Sequence, residues 1–264
     1  MTPAVSVLIG AYNNAGTVRE AIDSILGQTV GDLEVVVIDD GSTDGSGDVA
    51  RAVGDERVRV LTMPHNVGIS RSLNEGLRAA RAPVVAVQDA DDWSAPERLE
   101  RQLALLDARP DVAVVGCRMH EVDETGAAVR PRTSFVAGDV TEVLLRFNPI
   151  PNTSAAFRRD VALALGGYDP RYRYAMEYDL WLRMTDTRRA HTLGEALATR
   201  RMSRTNVAAR KERAQIGEAL QMVARTLLRR RRLRGAQWLA VPALAYVTPI
   251  PLKRARRRRL GQAP

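Results

Sequence analysis

Cysteine is almost absent from this chain. Cys117 is the single one in 264 residues, which excludes an intrachain disulfide and a cysteine-based zinc site. Lysine is nearly absent too: Lys211 and Lys253 are the only two, so arginine supplies almost all the positive charge. Aromatic residues make up only 5%. The opening Met1-Thr2-Pro3-Ala4 lacks the basic and then apolar pattern of a secretory leader, and the expected compartment is a reducing cytoplasm. No internal repeat is visible. What is present is a 45% apolar chain, long enough for one large α/β domain with or without an appendage.

The net charge of +8 hides two opposed parts. Residues 200–264 hold 18 Lys or Arg against 2 Glu, a net of +16, whereas residues 1–199 hold 21 Arg against 29 Asp or Glu, a net of −8. An acidic body and a basic tail are therefore read separately. In the tail, 208–228 has helical spacing and the run Arg229–Arg232 ends it. The uncharged stretch 236–252 is 17 residues long and broken by Pro242, Pro249 and Pro251. A spanning helix needs about 20 apolar residues. Trp238 and Tyr246 between arginine clusters suit a segment lying on an anionic membrane surface, with folding back on the domain or subunit pairing as the alternative. No recognition motif accompanies the basic charge, so no nucleic-acid partner is expected.

The first 118 residues alternate strand and helix patterns. Strands are expected at 5–10, 33–38, 58–61, 84–88 and 112–117. Helices are expected at 15–26, 46–53, 70–80 (Ser70 as N-cap) and 96–108 (Pro96 in the first turn). Such alternation predicts a mostly parallel, Rossmann-like sheet with helices on both faces. Beyond 118 the pattern weakens: a hairpin or long loop over 121–139, a strand over 152–157, and helices over 159–165 and 178–184.

Four motifs lie where strands end. Gly10-Ala11-Tyr12-Asn13 follows the first, Asp39-Asp40-Gly41-Ser42 the second, Asn66-Val67-Gly68 opens a helix, and Asp89-Ala90-Asp91-Asp92-Trp93 follows the fourth. In a parallel sheet these ends border one ligand crevice. Tyr12 can stack on a nucleobase, Asp40 can accept a base N–H, Asp91 a ribose hydroxyl, and Asp92 can hold a cation on a pyrophosphate. The plainer readings are turns, a helix entry and a solvated acidic loop. Trp93 either walls a sugar site or packs in the core.

These segments, with Ser24-Ile25-Leu26-Gly27-Gln28-Thr29, Pro96-Glu97-Arg98-Leu99 and Tyr178-Asp179-Leu180-Trp181, resemble family 2 glycosyltransferases over residues 4–205. The resemblance implies a GT-A domain at 1–205 and leaves 206–264 as a basic, partly helical extension. It implies a UDP-, GDP- or dTDP-sugar donor, Mn²⁺ or Mg²⁺ held by Asp91 and Asp92, and inversion at the anomeric carbon. Nucleotide contacts fall to Tyr12, Asn13, Asp40, Asn66, Gly68 and Asp91, and the donor sugar to Asp89 and Trp93. The acceptor hydroxyl belongs to a glycan, a lipid-linked or a small molecule, in polysaccharide or glycolipid synthesis at the inner face of the membrane. The family's base lies in a Glu-Asp pair; here the chain reads Met176-Glu177, so Glu177 is the expected base and Asp179 its substitute. Other departures are Gly10-Ala11 in place of Pro, Leu73 in place of Arg before Asn74, and no His after the last strand. Arg201 or Arg204 is expected to neutralise the diphosphate instead, with a lowered metal requirement. The altered pair also admits a non-catalytic or divergent sugar-nucleotide binder. A sugar nucleotidyltransferase is disfavoured, because 9–16 has no Gly-rich basic loop.

Overall fold

Val- and Ile-rich runs with both faces covered make the strands of this protein, as parallel sheets require. The computed structural model describes residues 2–129, 135–202 and 212–231. Strands β1 (Val5–Ala11), β2 (Leu33–Asp39), β3 (Val58–Thr62) and β4 (Val84–Asp89) pair in parallel in the order β3-β2-β1-β4. The sheet continues through β8 (Ala156–Arg158), β6 (Val112–Val122), β9 (Arg189–Arg201) and β5 (Trp93–Ser94), with β7 (Gly138–Asp139) beside β9. Here β6–β9 is parallel, while β8 and β5 run antiparallel to their neighbours.

Side chains alternate across the sheet. Val7, Ile9, Val35 and Val37 face α1 (Val18–Leu26) and α4 (Arg98–Ala108); Leu8, Val36 and Ile38 face α3 (Ile69–Ala79) and α6 (Met176–Met184). The second layer is sealed by Trp181, fully buried, whose indole N–H donates to the Ile150 carbonyl at 3.0 Å. Helices α2 (Ser46–Arg51) and α5 (Arg159–Ala164) complete the expected set. Helix α7 (Glu212–Arg229) is the described part of the basic extension. It buries Met222, Val223 and Leu227 in the same apolar layer as α6.

Several element ends differ from expectation, each for a tertiary reason. Helix α3 starts at Ile69, with Gly68 in the cap position, and the Ser70 hydroxyl donates instead to the Tyr172 carbonyl at 3.1 Å. Helix α4 starts at Arg98, because the Pro96 carbonyl is taken by the Thr29 N–H at 2.9 Å. Gln28 grips the same segment: its amide donates to the Ala95 carbonyl at 2.7 Å and accepts the Leu99 N–H at 3.0 Å. The 24–29 motif thus clamps the chain that follows the acidic cluster. Strand β6 runs on to Val122 because β9 pairs along its length. Residues 152–154 form a 3-10 turn, which leaves only 156–158 as strand.

Candidate active site

Strand register sets the site. Gly10 pairs with Asp89 and Ala11 with Asp39, so the ends of β1, β2 and β4 lie side by side. The Tyr12–Asn13 turn is knitted to the 42–44 turn: Asn13 N–H donates to the Ser42 hydroxyl at 3.1 Å, and Asn13 Oδ1 accepts the Thr43 N–H at 3.0 Å. Asn13 takes a left-handed backbone (φ 56°), and the Tyr12 ring stands 47% exposed beside it, available to a planar partner. Asp40 is buried, and its two oxygens accept the Val67 and Gly68 N–H groups, each at 2.9 Å. Its carboxylate therefore ties β2 to the entry of α3, and any base contact has to share those oxygens. Gly41 permits this approach, since a Cβ there would lie 2.5 Å from the His65 carbonyl carbon. Asn66 is exposed on the loop between them.

The acidic turn lies one strand over. Asp92 is 2% exposed; its Oδ1 accepts the Arg201 N–H at 3.0 Å, and its Oδ2 is buried with no hydrogen-bond partner. Burial, with Asp89 and Asp91 adding like charge, pushes its carboxyl well above the usual range. Asp91 is half-buried and also raised, chiefly by burial. Burial and the nearby Asp91 raise Asp89 to about 6. Among the described residues, no group of three or more His, Cys, Asp or Glu forms a ready-made metal cage. Oxygen ligands from one or two carboxylates, completed by phosphate, suit Mg²⁺ or Mn²⁺. The orphaned Asp92 oxygen and the more accessible Asp91 fit that donor set.

Cations surround the cluster. Arg98 is fully buried beneath it and donates to the Val87 carbonyl at 3.2 Å and to the Thr153 carbonyl. Burial lowers its guanidinium to about 10, and Asp89 and Asp92 oppose that shift. On the rim, the Arg201 guanidinium lies 5.1 Å from the Trp93 ring centroid and pairs with Glu20 at 2.7 Å. Trp93 is half-buried, neither core nor free wall. Arg204 lies outside the described residues, as does the chain beyond 231.

Glu177 lies in the first turn of α6, where Asn148 donates to its Oε1 at 3.1 Å. Burial, and then the Asp89 charge, raises it to about 7. Between Glu177 and the acidic turn lies Asn152, which donates to Asp89 Oδ1 at 3.4 Å and accepts the Tyr168 hydroxyl at 3.3 Å, and the Tyr168 ring feels the charges of both Glu177 and Asp89. Asp179 belongs elsewhere. Two positions on in a helix, it points away from Glu177, and it accepts the Arg183 guanidinium at 2.7 Å. Arg183 in turn donates to the Leu165 and Gly167 carbonyls. Asn74 is structural as well, clasping the Tyr168 backbone by its N–H and carbonyl at 2.8 and 2.7 Å.

Sequence reasoning missed Asn148, Asn152, Thr153, Tyr168 and the buried Arg98. The available signal was weak: a polar run, Asn152-Thr153-Ser154, punctuated by Pro149 and Pro151 between apolar segments.

The model of the family described as Glycosyl transferase family 2 matches residues 6–164. The chain is 34% identical over 203 residues to EpsE of Bacillus subtilis (strain 168), covering 74% of this chain and 72% of that one. It is 30% identical over 186 residues to the amylovoran biosynthesis glycosyltransferase AmsE of Erwinia amylovora, covering 68% of each. A solved structure of the mannosyltransferase PcManGT from Pyrobaculum calidifontis, in complex with GDP-Man and Mn²⁺, superposes with a TM-score of 0.67 at 22% identity. It covers 99% of this chain and 80% of that one. At that identity the likeness speaks to the fold.

Proposed function

Since this chain belongs to glycosyltransferase family 2, and is thereby an enzyme that transfers glycosyl groups, we propose that it moves a sugar from a nucleotide-diphosphate donor to an acceptor hydroxyl with inversion. One observation carries the reading. The ends of β1, β2 and β4 lie in adjacent register, and the acidic turn after β4 connects through Asn152 and Tyr168 towards Glu177. The Asp89 charge also acts on Glu177, so the proposed donor ground and the candidate base lie near one another.

Tyr12 offers its ring to the nucleobase, and Asn13, Asp40, Asn66 and Gly68 frame that end. Asp91, backed by Asp92, would hold a divalent cation. When bound, the cation supplies charge that offsets the negative charge developing on the departing diphosphate. Arg201, paired with Glu20 on the rim, would turn to the diphosphate by giving up part of that pair, and a metal requirement weaker than full dependence is proposed on that ground. Asp89 and Trp93 border the sugar. The acceptor oxygen bonds to the anomeric carbon as the bond to the diphosphate oxygen breaks, and its proton passes to Glu177. A carboxyl raised to about 7 is matched to that task at neutral pH. Relatives such as AmsE, named for amylovoran biosynthesis, support a polysaccharide pathway. No described helix is long and apolar enough to cross a membrane. The basic, aromatic-bearing sequence beyond 231 suits an anionic membrane surface, where a lipid-linked acceptor would be met.

A thermal-shift panel of UDP-, GDP- and dTDP-sugars with and without Mn²⁺ tests the donor reading. One nucleotide class should raise the melting temperature, and Mn²⁺ should raise it further. No shift with any of them would sink the proposal.

A further inference from the structure

Helix α7 reaches back to the start of α6. The Glu218 carboxylate accepts three successive backbone N–H groups: Oε1 from Arg173 at 2.9 Å, and Oε2 from Tyr174 at 2.9 Å and from Ala175 at 3.1 Å. Ala175 is the N-cap residue of α6 and makes no side-chain cap of its own; Glu177 follows two residues later. The same face of α7 supplies Gln215, which donates to the Tyr174 carbonyl at 3.3 Å, and Arg225, which donates to the Tyr172 hydroxyl at 2.7 Å. Met222, Val223 and Leu227 anchor the helix in the core behind them. Residues 173–175 lie in no regular element, so their N–H groups need a partner from elsewhere. A carboxylate is a strong one, and it is favoured at a helix N-terminus.

We propose that Glu218 is a positioning residue for the transfer reaction: by gathering the N–H groups of 173–175 it fixes where α6 begins, and so where the Glu177 carboxylate sits. The inference rests on Glu177 as the base. The extension therefore contributes to the reaction through its first helix, apart from any role of the residues beyond it. Glu218 also adds negative charge. The charged groups that act on Glu177 are Asp89 at the end of β4 and Glu218 on α7; Asn148 is hydrogen-bonded to it, and Tyr168 after α5 feels the Glu177 charge in turn. Removing the Glu218 charge lowers the pKa of Glu177, so the acid limb of the pH profile moves to lower pH.

The test compares Glu218→Gln, Glu218→Asp, Glu177→Gln and the Glu177→Gln/Glu218→Gln double variant in the full chain. Two measurements are made. One is hydrogen exchange across 171–177. The other is release of nucleoside diphosphate, with Mn²⁺, from whichever of UDP-GlcNAc, UDP-glucose, GDP-mannose and dTDP-rhamnose stabilises the protein. Glu218→Gln should speed exchange in 171–177 by about 10-fold while the core strands stay protected. It should lower kcat by about 10- to 100-fold, leave the donor KM within about two-fold, and shift the acid limb down. Glu218→Asp keeps the charge, so its limb should stay at the wild-type position while kcat remains reduced. The double variant should be no slower than Glu177→Gln alone. Wild-type exchange in Glu218→Gln overturns the proposal. So does a lowered rate that keeps the wild-type pH profile and adds to the Glu177→Gln loss. Wild-type turnover in Glu177→Gln removes the base reading itself, and this inference with it.

Discussion

Glu177 and Asp179 differ by two positions and by everything that matters to proton transfer. Helical geometry turns one towards Asp89 and Asn148 and the other towards Arg183. Glu177→Gln should therefore abolish transfer by at least about 100-fold while donor binding, read by thermal shift, persists. A base must be deprotonated to act. With the carboxyl raised to about 7, kcat/KM should climb as pH rises from 5.5 and level off above that value. A flat profile over that range would count against Glu177. Stability runs the other way. Carboxyls raised in the folded state, Asp89 to about 6 and Glu177 to about 7, make the native protein bind more protons than the unfolded chain between the two sets of values. Their contribution is complete below the unfolded carboxylate range and is lost as pH rises through 6 to 7. The melting temperature of the cation-free protein should therefore fall between pH 5 and pH 8. Mn²⁺ with a nucleoside diphosphate should reverse part of that fall at pH 8.

At the scale of elements, Asp40 shows why local reading stops short. The β2 strand and the Asp39-Asp40-Gly41 turn were legible, because β-branched alternation and turn chemistry act over a few residues. That the Asp40 carboxylate would serve the N–H groups before α3 depends on a loop 27 residues away. The same holds for β6 with β9, and for Asn152 with Asp89 and Tyr168. No short-range period encodes such pairings, whereas the four strand-end motifs were visible one by one. Asp40→Ala leaves two part-buried N–H groups without their carboxylate. It should cost about 1–3 kcal/mol for each group left without a partner, read by denaturant melts, and should weaken nucleotide binding more than Asp40→Asn does. Leu227→Ala, at the α7–α6 contact, should cost about 2–5 kcal/mol. A loss confined to α7 without a change in global stability would mean the helix is not part of the core.

Across the whole molecule, an acidic body for which an anionic donor is proposed is joined to a strongly basic extension. The two are reconciled by division of labour. Within the body, Arg98 lies under the acidic turn and Arg201, paired with Glu20, stands on its rim, so part of the carboxylate charge at the proposed donor site is offset inside a net negative domain. Beyond residue 231 the sequence carries its arginines in clusters around an uncharged, aromatic-bearing stretch, an arrangement we propose serves an anionic surface rather than the donor. Each Arg held near such a surface contributes about 1 kcal/mol at low ionic strength. Replacing Arg254 and Arg256–Arg259 with Gln in the full chain should therefore lower binding to phosphatidylglycerol vesicles by more than about 100-fold. Rising salt should weaken the wild-type chain in the same direction. Cleavage of the donor in solution should be unchanged, because on this reading those arginines serve the membrane surface and not the donor. Vesicle binding that survives the five substitutions, or donor cleavage that falls with them, would place the extension's charge at the donor site rather than at a membrane.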